Sequence, residues 1–145
     1  MRSILVIDDF KDMRTVISDI LTDAGYAVTL AEDSYTADER CRNSSFDLVL
    51  CDMILPIVDD IGLGLSDTDL PVGLHIICKL SRSHPHIPVV AMSGKFDKDL
   101  IEKAKYYGAA TLLPKPFTSD ELLEAVDRVV GLYHDPVDLS LTGLS

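Results

Sequence analysis

The feature that most constrains the fold of this chain is an alternation. Short apolar runs rich in β-branched residues recur along it, and a segment with helical patterning follows each one. SILVI at residues 3 to 7 is the first such run and reads as a strand covered on both faces. Behind it, Met13, Val16, Ile17, Ile20, Leu21 and Ala24 recur at helical spacing on one stripe, and Gly25 supplies the stop. The remaining strands are YAVTLAE, LVLC, IPVVAMS and ATLL; the intervening helices run from Ser34 to about Arg42, Leu74 to about Leu80 and Lys98 to Tyr107. Thr118 and Glu121 have capping-box spacing ahead of Leu122, Leu123, Val126, Val129 and Val130, which signals a final helix. Five βα units result. Each return to a parallel strand needs a right-handed crossover, so the pattern predicts a parallel sheet with helices on both faces.

At 145 residues with 47% hydrophobic content, the chain suits one folded domain. Its 13 basic and 24 acidic side chains give a net charge of −11, which repels nucleic acid and anionic lipid alike. No apolar run approaches the roughly 18 residues of a membrane helix, and MRSILVIDDF does not continue as a signal peptide would. A cytoplasmic location is therefore expected. Cys41, Cys51 and Cys78 are odd in number and share no metal-ligand spacing, so they are read as reduced thiols in or near the core. His75, His84, His86 and His134 likewise lack ligand spacing and are read as surface or loop residues.

In a doubly wound sheet the carboxyl ends of the strands face a common crevice where ligands bind. Asp52 ends the third strand, Asp8 and Asp9 end the first, Ser93 with Gly94 ends the fourth, and Lys115 follows the fifth. Three carboxylates held together repel one another unless a cation lies between them. Mg2+ suits a few carboxylate oxygens better than Ca2+, which recruits more protein ligands. Lys115 and Ser93 complete a site for a phosphoryl group, with Asp52 as a nucleophile able to form an acyl phosphate.

At these residues the sequence resembles the receiver domain of two-component response regulators. The motifs are VIDDF at 6 to 10, LCDMILP at 50 to 56, AMSG at 91 to 94 and GAATLLPKPF at 108 to 117, and the resemblance spans residues 3 to about 132. It implies a flavodoxin-like, doubly wound five-stranded parallel sheet of order 2-1-3-4-5 with five helices in three layers. A receiver domain over 1–132, with an inserted loop at about 60–72 and a tail over 133–145, is the expected organisation. By resemblance Asp52 is the phosphoacceptor, Asp9 a direct metal ligand and Asp8 one acting through water, while Ile54 lends its backbone carbonyl to the metal. Ser93 matches the hydroxyl that binds the phosphoryl oxygen, Lys115 matches the lysine paired with that group, and a cis Lys115–Pro116 bond is implied.

The partners implied are a sensor histidine kinase or a histidine phosphotransfer protein, with a downstream target reading the face of helix four, strand five and helix five. The chain would catalyse its own phosphorylation and dephosphorylation rather than act as a metabolic enzyme. Only the tail DPVDLSLTGLS follows the last helix, which leaves open a receiver standing by itself or a piece of a longer protein.

Three departures from the family pattern are legible. Leu112 occupies the position where relatives carry a switching Tyr or Phe, and Ile54 is apolar where many carry a polar side chain. The Asp-Gly pair that follows the proline is split, with Asp59 before the extra loop and Gly73 after it; Asp60, Asp67 and Asp69 within that loop are read as solvated. Leu112 and the inserted loop keep a second reading alive, a degenerate receiver that binds partners without phosphorylation. A phosphohydrolase of the haloacid dehalogenase type ranks far behind, because it needs a second Asp two positions after the first, and Phe10 and Lys11 stand there.

Overall fold

The computed structural model describes residues 2–53, 72–94 and 98–134. Five strands and five helices alternate: β1 Ser3–Ile7, α1 Lys11–Asp23, β2 Ala27–Ala31, α2 Ser34–Asn43, β3 Leu48–Asp52, α3 Val72–Ser83, β4 Val89–Ser93, α4 Lys98–Tyr106, β5 Thr111–Pro114 and α5 Ser119–His134. All neighbouring strands pair in parallel, in the order β2-β1-β3-β4-β5. This is the expected doubly wound sheet.

Side chains alternate across each strand, so the sheet divides the core into two clusters. Leu5, Ile7, Val49, Cys51, Val89 and Ala91 face α2, α3 and α4, meeting Ala37, Cys41, Leu74, Ile77, Leu80 and Ala104. Ile4, Val6, Leu48, Leu50, Val90 and Met92 face α1 and α5, meeting Ile17, Leu21, Leu122, Val126 and Val129. Every residue of β3 and β4 is buried, as central strands covered on both faces require.

The helix ends follow the expected chemistry. Gly25 adopts φ +99° just beyond α1, where its N–H donates to the Thr22 carbonyl and the Tyr26 N–H to that of Leu21. At α5 the capping box is reciprocal: Glu121 N–H donates to Thr118 Oγ1 at 3.1 Å, and Thr118 N–H to Glu121 Oε1 at 2.8 Å.

Several expectations need adjustment. α3 is longer than Leu74 to Leu80, because the residues before and after that apolar segment continue its turns. On α1, Ile17 and Leu21 are fully buried, but Val16 lies at the margin of the stripe and is half exposed. The adjacent Tyr106 and Tyr107 project about 100° apart at the end of α4. Tyr107 packs against the α2–α3–α4 cluster and Tyr106 is 84% exposed. Cys41 and Cys51 are buried, Cys78 is half-buried, and all three are free thiols. Among the described residues no helix is long and apolar enough to cross a membrane. The expected loop at about 60–72, its acidic residues, Ile54 and Asp59 lie outside the described residues apart from Val72, which opens α3.

Candidate functional site

Strand register builds the site. Ile7 pairs with Cys51, Asp52 with Met92, and Ser93 with Pro114. One residue further along each strand, Asp8 comes level with Asp52, and Lys115 follows Pro114 on the same edge. The Lys115 N–H donates to the Ser93 carbonyl at 2.7 Å, and the Met53 N–H to that of Met92 at 2.9 Å, which extends the ladder past the strand ends.

Lys115 Nζ donates to Asp8 Oδ2 at 2.9 Å and to Asp52 Oδ2 at 3.2 Å. It thereby joins residues 107 and 63 positions away in sequence. Asp8, Asp9 and Asp52 each present a carboxylate oxygen, and these oxygens all lie within 4.8 Å of one another. Asp8 and Asp52 are buried, Asp9 is exposed, and Ser93 at the end of β4 is buried. The Lys115–Pro116 peptide bond is cis. Burial pulls the Lys115 ammonium toward neutrality, but its hydrogen bond to Asp8 and the charges of Asp52 and Asp8 outweigh it. Its pKa therefore stands above the ordinary lysine value.

Each Asp8 oxygen already accepts a hydrogen bond: Oδ1 from the Phe10 N–H at 2.9 Å, and Oδ2 from Lys115. The Phe10 contact also organises the entry to α1, whose N-cap position, Phe10, has no capping side chain. Three formal negative charges against one ammonium leave two in excess, which fits a divalent hard cation bound by oxygen.

Two features of the site were not expected from the sequence. Arg14 Nη1 donates to the main-chain carbonyl of Asp8 at 2.8 Å, securing the turn that carries the acid pair. Gly73, in the first turn of α3, donates its N–H to the Met53 carbonyl at 3.0 Å. A Cβ there would lie 2.3 Å from the Asp52 carbonyl oxygen and 2.6 Å from Met53 Cα. The signal for Gly73 was its place where the family pattern resumes; Arg14 carried no signal of its own.

Fold and site together define a class: a doubly wound parallel α/β domain with an acidic pocket at the strand carboxyl edge, bridged by a lysine from beyond the last strand. A family model of the response regulator receiver domain matches residues 4–127, and the chain belongs to that family. It is 29% identical over 127 residues to the chemotaxis protein CheY of Pseudomonas aeruginosa, covering 87% of this chain and 94% of that protein. It is 29% identical over 130 residues to the DNA-binding transcriptional regulator NtrC of Klebsiella pneumoniae, covering 90% of this chain and 25% of that one. The chain thus spans about a quarter of the length of the NtrC relatives it matches.

Among solved structures, the receiver domain of NtrX from Brucella abortus matches with a TM-score of 0.73 at 29% identity, over 88% of this chain and 97% of that one. A CheY-like receiver domain protein from Methanospirillum hungatei shares the fold, with a TM-score of 0.80 at 21% identity over 94% and 98% of the two chains. Membership supports a phosphoacceptor role in signalling, and receiver domains generally bind Mg2+ at an acidic pocket of this kind.

Proposed function

We propose that this chain is a cytoplasmic signalling switch that takes a phosphoryl group onto Asp52 from the phosphohistidine of a sensor histidine kinase or histidine phosphotransfer protein. The observation that carries this reading is the Lys115 ammonium bridging Asp8 and Asp52 at 2.9 and 3.2 Å, with Asp9 completing the acid cluster.

An Asp52 carboxylate oxygen attacks phosphorus, the phosphorus–nitrogen bond breaks with its electron pair returning to the imidazole, and an acyl phosphate remains. Lys115, already held at the carboxylate, is placed to meet the incoming phosphoryl oxygens, and Ser93 supplies a hydroxyl donor to another. Asp9, which accepts no hydrogen bond among the described residues, suits direct metal ligation; Asp8, with both oxygens engaged, suits contact through water. Ile54 would add a backbone carbonyl. When bound, Mg2+ supplies positive charge that offsets the carboxylates and the phosphoryl oxygens. Downstream partners would read the face of α4, β5 and α5, where Tyr106 is exposed. Hydrolysis of the acyl phosphate resets the switch.

A second reading, a receiver that binds partners without phosphorylation, is favoured by Leu112. It packs against the α2–α3–α4 core cluster where the family's switching aromatic would stand. One experiment separates the two. Acetyl phosphate with Mg2+ should place an acid-stable, base-labile phosphoryl group on the wild type and none on Asp52→Asn; no label on wild type would leave the binding module as the function.

A further inference from the structure

A cleft of about 250 Å3 lies beside the C-terminal end of β2, the first turn of α1 and the first two turns of α2, lined by Arg14, Leu30, Ala31, Glu32, Thr36 and Arg40. Two arginines thus line one small concavity in a chain whose net charge is −11. Neither is consumed by a strong ion pair. Arg14 forms no ion pair among the described residues; of its five N–H donors, one is spent on the Asp8 carbonyl. Arg40 Nε reaches toward the Leu30 carbonyl at 3.4 Å, and its Nη1 meets the neighbouring Glu39 at 3.3 Å. Both ends of that pair are about two-fifths exposed, so water screens it and it contributes little. Main-chain carbonyls therefore orient both forks while leaving most of their donors uncommitted.

The nearby acids do not fill the role of counterion. Asp33 caps α2, accepting from the Thr36 N–H and hydroxyl, both at 2.7 Å. Glu32 is exposed and is the one carboxylate in the lining.

We infer that this cleft binds a small oxyanion, a phosphate ester or a carboxylate, held by Arg14 and Arg40 through charge-assisted, fork-like hydrogen bonds. The volume suits a fragment-sized metabolite rather than a nucleotide. The cleft is also tied to the acidic pocket. Asp8 accepts from Arg14 through its carbonyl and donates its N–H to the Ala31 carbonyl at 3.1 Å. One side-chain-to-main-chain bond and one main-chain bond thus join the cleft lining to the residue whose carboxylate holds Lys115.

The test follows the arginine Nε–Hε signals of the 15N-labelled full chain while inorganic phosphate, and in a separate series malonate, is added. Arg14 and Arg40 signals should shift saturably with a Kd of about 1 mM or below, and Arg14→Gln or Arg40→Gln should each weaken binding at least about tenfold. Because Arg14→Gln also frees the Asp8 carbonyl, Arg40→Gln is the cleaner variant. Lys115→Gln should leave the affinity unchanged, a result independent of whether Asp52 is phosphorylated. A response to phosphate alone identifies a phosphoryl ligand, and one to malonate a carboxylate. Shifts that fail to saturate by about 50 mM, or binding lost in Lys115→Gln and retained in both arginine variants, overturn the proposal.

Discussion

Gly73→Ala is the substitution whose effect the structure specifies most closely. The added methyl would meet the Asp52 carbonyl oxygen at 2.3 Å, Met53 Cα at 2.6 Å and Met53 C at 2.8 Å, all of them main-chain atoms that no rotamer change can move aside. Reaching even a 3.0 Å contact requires α3 and the β3 end to separate by at least about 0.7 Å. Overpacking of this kind costs about 1–3 kcal/mol, which for a domain of this size lowers Tm by roughly 4–10 °C. The closest of these atoms is the main-chain oxygen of the proposed nucleophile, and the other two belong to the residue that follows it. A misplacement approaching 1 Å at a reacting group costs up to about 10²-fold in rate. Two measurements check this: thermal unfolding, and the initial rate of Asp52 labelling by acetyl phosphate at saturating Mg2+. Wild-type Tm together with a wild-type labelling rate would refute the close packing of α3 on Asp52. A lowered Tm with an unchanged rate would keep the packing and remove its role in positioning.

Further outcomes follow from other contacts. Gly131 lies inside α5 with nothing among the described residues within 4 Å of the place an added methyl would take, so Gly131→Ala should raise stability by about 0.5–1 kcal/mol in denaturant titration. Burial, then the hydrogen bond to Asp127 and its charge, push the Tyr26 hydroxyl above the ordinary tyrosine pKa. The folded state holds that proton more tightly than the unfolded chain, so its contribution is complete below about pH 10 and is lost at higher pH. Tyr26→Phe should accordingly flatten the alkaline fall in Tm and remove one high-pH phenolate from an ultraviolet titration. Burial, reinforced by Asp52 and Asp8, raises the Cys51 thiol, so iodoacetamide at pH 8 should modify Cys78 in the native protein and reach Cys51 only after denaturation.

Much of the acidic pocket was legible because a parallel sheet converts position in sequence into position in space. Once Asp8, Asp52, Ser93 and Lys115 were read as strand-end residues, the register left them one edge to share. Local signals were equally readable at Gly25 and at the Thr118–Glu121 box, because both rest on chemistry within a few residues. Contacts between distant segments were not. Nothing beside Arg14 announces a bond to the Asp8 carbonyl, and the spacing that put Val16 on the α1 stripe does not tell the centre of that stripe from its margin. Gly73 could be noted as a glycine, but that it lies against Asp52 depends on how α3 settles on β3.

The long span of the Lys115 contacts has a consequence for biosynthesis. A chain emerging from the ribosome carries Asp52 early, yet its ammonium partner arrives 63 residues later and must also reach back 107 residues to Asp8. Any product cut short before Lys115 therefore holds these two aspartates without the ammonium that bridges them in the folded domain.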